Sequence, residues 1–123
     1  MISAVAGLIF ALPAATRAAK KLAVPLDKVE KLKVVGGSAY LKIRDMEILF
    51  IRDSEDSIKA LNPTCTHKKC TVEHDAELKM LVCPCHGSTF DLNGKVFKGP
   101  AEKELTKYEA ILSEGRIILT VEE

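Results

Sequence analysis

The sequence predicts an all-β fold of antiparallel sheets, with a small metal-binding subdomain inserted at about 64–101 and a short apolar helix at the N-terminus. Three observations carry this. Ser38 to Arg44 (SAYLKIR) alternates apolar and polar residues, and Glu47 to Ile51 (EILFI) is β-rich and apolar. Glycine- and aspartate-containing steps separate the short strands. Two compact blocks, Cys65-Thr66-His67-Lys68-Lys69-Cys70 and Cys83-Pro84-Cys85-His86-Gly87-Ser88, interrupt the strand pattern and hold all four cysteines and two of the three histidines.

The chain has 123 residues, enough for one domain with a small appendage. With 18 basic and 17 acidic residues its charge nearly cancels, which gives no basis for binding nucleic acid. Ile2 to Thr16 (ISAVAGLIFALPAAT) is uncharged and mostly apolar, and lacks an amphipathic stripe. As a helix it would span about 23 Å, short of the roughly 20 residues that cross a bilayer. Residues 1–16 therefore read as a truncated membrane anchor or signal-like helix, with membrane association through the N-terminus. Arg17, Lys20 and Lys21 follow it, and the positive-inside rule would keep that flank cytoplasmic unless a more basic segment precedes. Residues 17–33 carry six basic and two acidic residues plus Pro25, and read as a hinge or linker. The remaining domain is 34–123, with strand-like sequence from Val29 onward.

Asp45-Met46 is expected to turn the first hairpin. Ser57 to Leu61 leads into the first cysteine block and Lys79 to Val82 into the second. Asn93-Gly94 is a strong two-residue hairpin signal. Tyr108 to Leu112 and Arg116 to Val121 close the fold as a hairpin over Glu114-Gly115. His74, in the acidic stretch Glu73-His74-Asp75-Ala76-Glu77, reads as a solvated loop histidine.

Each block contributes one cysteine and one histidine at close spacing: Cys65-x-His67, fifteen residues, then Cys83-x-x-His86. Such a donor set suits a tetrahedral structural zinc. It also suits a two-iron cluster in which two cysteines hold one iron and two histidines the other. Zinc fingers usually keep like ligands together, whereas here each block would reach both metals. Cys70 and Cys85 sit at matching places, so a disulfide between them would tie the two loops together. Two disulfides from the four cysteines is the third option, and it gives the histidines no role.

The segments CTHKKCTV (65–72), CPCHGSTFD (83–91), NGKV (93–96) and GPA (99–101) resemble, in order, the cluster-binding part of Rieske iron–sulfur proteins of cytochrome bc- and bf-type quinol oxidoreductases. The resemblance covers residues 65–101. It implies a Rieske fold and a [2Fe-2S] cluster held by Cys65, His67, Cys83 and His86, with a Cys70–Cys85 disulfide. It further implies that Ser88 bonds a bridging sulfide and that Gly99-Pro100-Ala101 covers the cluster's far side. At Phe90 many high-potential members carry a tyrosine, so the expected potential lies below theirs but above ferredoxin-like values. Replacing thiolates by imidazoles makes the site less negative and easier to reduce.

What the resemblance implies for function is an electron-transfer subunit without stand-alone catalysis. Quinol would be the donor, with His86 as its contact, a cytochrome b-type membrane subunit the partner and a cytochrome c-type protein the acceptor. The head would lie on the non-cytoplasmic, periplasmic side of the membrane. Lys68-Lys69 departs from the apolar residue and glycine of most quinol-oxidising members and favours an acidic partner surface. Glu102 stands where the family often has proline. A carrier or small subunit of another redox enzyme is the alternative. Oxygenase ferredoxins generally lack the two disulfide cysteines, while arsenite-oxidase-type subunits can keep them. A structural zinc module is the remaining reading.

Overall fold

The computed structural model describes residues 19–66 and 70–122. The expected N-terminal helix at 1–16, the expected ligand His67 and the Lys68-Lys69 pair lie outside the described residues. Ten strands run in chain order: β1 (Ala19–Pro25), β2 (Ser38–Ile43), β3 (Met46–Arg52), β4 (Ile58–Leu61), β5 (Glu73–Asp75), β6 (Met80–Val82), β7 (Thr89–Asp91), β8 (Val96–Lys98), β9 (Lys107–Ser113) and β10 (Arg116–Glu122). They form a six-stranded base sheet ordered β1-β10-β9-β4-β3-β2 and a four-stranded sheet ordered β5-β6-β7-β8. All the pairings are antiparallel. The small sheet is the insertion the sequence announced. It leaves the base after the Leu61–Lys107 pair, and Asn62 N–H donating to Thr106 O (2.8 Å) closes its neck.

β3 explains how one chain serves two cores. A strand alternates its side chains between faces, yet Ile48, Leu49, Phe50 and Ile51 are all buried. Ile48 and Phe50 pack with Leu32, Ile58, Ala60, Ile117, Leu119 and Val121 in the base core. Leu49 and Ile51 face the other way and pack with Leu61, Cys65, Val72, Leu81, Cys83, Phe90, Ala101 and Leu105. The run therefore reads as continuously apolar because the strand is a wall shared by both cores. Each fully buried Leu, Ile or Phe contributes about 1.5–3 kcal/mol by leaving water.

Four features differ from the sequence expectations. The stretch 17–33, expected to be a linker, is docked from residue 19 onward. β1 pairs with β10 from Ala19↔Glu122 to Pro25↔Arg116, and 3-10 turns at Leu26–Lys28 and Glu30–Lys33 follow. Leu22 and Val24 are half-buried on one face while the lysines stay in water, and Leu32 is fully buried. The basic residues made an edge strand resemble a solvated connector. The first hairpin turns at Arg44-Asp45, one residue earlier than expected, with Arg44 at φ 59°. Asn93-Gly94 sits in a longer turn, because Asp91 Oδ1 accepts from both Asn93 N–H (2.8 Å) and Lys95 N–H (3.0 Å). His74 belongs to β5 opposite Leu81 and is half-buried, so it is not a solvated loop residue. Burial lowers its pKa from the usual 6.5, partly offset by the Asp75 carboxylate. The closing hairpin is as expected: Ser113 pairs with Arg116, and Glu114 and Gly115 both take positive φ.

Candidate metal centre

The first cysteine loop is closed by its own backbone. Val72 N–H donates to Pro63 O (2.8 Å), Thr64 bridges Thr71, and Cys65 N–H donates to Cys70 O (2.6 Å). Asn62 Oδ1 accepts from Thr64 N–H at 2.9 Å and shapes the entry. This geometry turns Cys65 into the apolar core, where it is fully buried.

The second loop is built the same way. Cys83 N–H donates to Ser88 O (2.8 Å), and Gly87 N–H donates to Cys83 O (3.0 Å) with Gly87 at φ 80°. The loop's two ends, Cys83 and Ser88, are buried, whereas Pro84, Cys85, His86 and Gly87 are exposed. The loop thus presents an imidazole to solvent while hiding a thiol.

Cys70 and Cys85 form a disulfide between the loops, with Cα atoms 6.4 Å apart. Cys83 Sγ lies within 4.8 Å of both disulfide sulfurs. These three sulfurs are close enough to suggest a metal site, but two are bonded to each other and cannot act as thiolate ligands. Cys65 and Cys83 are the cysteines outside the disulfide, both buried in one core.

A third loop lies against the second. Ser88 Oγ, fully buried, accepts a hydrogen bond from Ala101 N–H (2.9 Å), next to the cis Gly99–Pro100 bond. A hydroxyl that accepts still has a proton to donate, and a buried one is costly if left unused. Thr66 Oγ1 donates to Lys103 O (2.6 Å) and joins the first loop to the segment that follows. Phe90 is fully buried, pairing with Leu81 and Val96 across β6 and β8. The place where a tyrosine hydroxyl is common in the resembling proteins is here filled by an apolar ring.

The donor chemistry fits an iron–sulfur cluster of mixed ligation. Two buried thiols stand at the feet of two tied loops, one exposed histidine stands on the second loop, and that loop ends in a buried hydroxyl. Three contacts had no signal in the sequence. Tyr40 on β2 donates its hydroxyl to Val72 O (2.6 Å), and Lys59 and Lys107 both donate to Asn93 Oδ1 (2.9 and 3.3 Å). Each joins residues far apart in the chain, where no local period reports proximity.

The sequence profile of the Rieske [2Fe-2S] domain matches residues 23–109. The cytochrome b6-f complex iron-sulfur subunit of Nostoc punctiforme is 40% identical over 70 residues, covering 55% of this chain and 39% of the relative. That of Chlorobaculum tepidum is 34% identical over 65 residues, covering 53% of this chain and 36% of the relative. These alignments span well under half the length of the curated relatives. Among solved structures, the cyanobacterial plasma membrane Rieske protein PetC3 from Synechocystis PCC 6803 superposes with a TM-score of 0.68 at 32% identity, covering 80% of this chain and 97% of that one.

Proposed function

Since this chain belongs to the Rieske [2Fe-2S] domain family across residues 23–109, we propose that it is the electron-transfer subunit of a membrane quinol–cytochrome oxidoreductase. The observation that carries the reading is the opposed exposure of the two donor types on one loop: Cys83 is buried and His86 lies at the surface. Cys65 and Cys83 would hold one iron, and His67 and His86 the other. The cluster, when bound, supplies a one-electron couple whose mixed ligation favours reduction over that of an all-cysteine site.

The chain's residues do the rest. The apolar neighbours of Cys65 and Cys83 keep water from the thiolate side. His86 offers quinol a ring edge in solvent, where a ring nitrogen accepts the hydroxyl's hydrogen bond and takes its proton. The Cys70–Cys85 bridge holds both loops against opening. Ser88 holds a buried hydroxyl at the end of the second loop, where it accepts from Ala101 N–H and keeps its own proton to donate.

A cytochrome b-type membrane subunit, a c-type acceptor and a non-cytoplasmic head are parts of the same proposal. They are supported by the cytochrome b6-f relatives, by the plasma membrane Rieske protein and by a disulfide that persists in oxidising compartments. Among the described residues, no helix is long and apolar enough to cross a membrane.

Mixing the oxidised, cluster-bearing chain with a short-chain quinol tests the reading. Bleaching of the visible absorbance is expected, followed by recovery on adding a c-type cytochrome. Full reduction by dithionite with no exchange with either partner would leave the family intact but overturn the quinol assignment in favour of a carrier for another redox enzyme. Phe90→Tyr gives a further expected result. A hydroxyl donated to a ligand sulfur favours the more negative, reduced state, so the midpoint potential should rise by on the order of 50 mV. An unchanged potential in a redox titration would contradict the part given to Phe90.

A further inference from the structure

Tyr40 stands on β2, at the edge of the base sheet and opposite Leu49 of β3. Its hydroxyl crosses to the inserted subdomain and donates to Val72 O at 2.6 Å, across 32 residues of sequence. Val72 is the returning leg of the first cysteine loop, and its own N–H is bound to Pro63 O. The next contacts inward are the Thr64–Thr71 bridge and the Cys65 N–H bond to Cys70 O. One phenol thus holds the base of a ladder whose upper rungs are Cys65 and Cys70.

We propose that Tyr40 is a positioning residue for the cluster site, fixing Val72 to the base sheet and, through Pro63 and the Thr64–Thr71 bridge, the placement of Cys65 and of the disulfide. The inference rests on the assignment of Cys65 as a ligand. At the other end of the small sheet, Lys59 and Lys107 reach Asn93, but those contacts are exposed, whereas the Tyr40 bond is partly buried. The groups around the phenol favour its role as donor. Burial, then the carboxylates of Glu73 on β5 and Glu47 on β3, raise its pKa above the usual 10.0. Lys42, two residues along β2, is the nearby cation on its own strand and pairs across to Glu47. The hydroxyl therefore keeps its proton throughout the neutral range and loses the bond only in strong alkali.

The test compares the full wild-type chain with Tyr40→Phe by backbone hydrogen exchange and by cluster loss to a chelator. At neutral pH the variant should exchange the Val72 and Cys65 amides about tenfold faster, as loss of one hydrogen bond implies, with Leu119 and Ile117 of β10 unchanged. Cluster loss should be faster by a similar factor. Equal exchange and equal cluster loss in the two proteins would overturn the inference, as would acceleration spread evenly over β10. Absence of any iron–sulfur spectrum in wild type would instead strike the ligand assignment, and the exchange comparison would still decide whether Tyr40 holds the loop.

Discussion

Cys83→Ser is expected to abolish cluster binding, while replacing Cys70 and Cys85 together with serine should leave a cluster that forms but is lost sooner. All four cysteines crowd the same two loops, so the contrast separates ligands from staple. Cys83 is buried beside an exposed histidine, and serine offers a hard, protonated oxygen where iron and sulfide favour a thiolate. The Cys70–Cys85 bridge closes a separation of 15 residues, for which loop closure predicts about 3 kcal/mol of stabilisation. Iron and acid-labile sulfide per chain, together with thermal unfolding, read both effects. Comparable cluster content in the Cys83→Ser and wild-type proteins would overturn the ligand assignment. Wild-type melting and cluster lifetime in the double serine variant would remove the staple.

Gly94→Ala is expected to destabilise the domain by about 2–4 kcal/mol. Gly94 takes φ 85°, and a Cβ there would lie 2.9 Å from Leu61 Cδ2 and 3.0 Å from Leu105 O. Its carbonyl accepts Leu105 N–H (2.8 Å), and Asp91 holds the turn from within. Leu61 belongs to the last base pair before the insertion, so the turn is pressed against the subdomain's root. The alanine methyl must displace this packing as well as adopt a left-handed backbone. A denaturant midpoint indistinguishable from wild type would show that the turn yields more easily than the geometry implies.

The kind of cofactor was legible in the sequence because the residue types at 65–101 are themselves the chemistry. Thiols and imidazoles at those spacings have few other uses, and the structure places Cys70 against Cys85 as the resemblance implied. The all-β character was legible from Ser38–Arg44, from the apolar run of β3 and from the Glu114-Gly115 turn. The N-terminal strand was not. Lys20 and Lys21 face water on β1, and their charge conceals the shallow alternation of Leu22 and Val24. β5 was missed because three acidic or polar residues in a row resemble a loop until a partner strand supplies their hydrogen bonds. The Tyr40–Val72 contact depends on β2 meeting the returning leg of the first cysteine loop, and no local pattern in either segment encodes it.

The most direct test of the account is electron paramagnetic resonance of the purified chain after one-electron reduction, read for hyperfine coupling to ligand nitrogen. The expected result is the signal of a reduced two-iron cluster with imidazole nitrogen coupled to the reduced iron. An EPR-silent protein that carries one zinc per chain would contradict it.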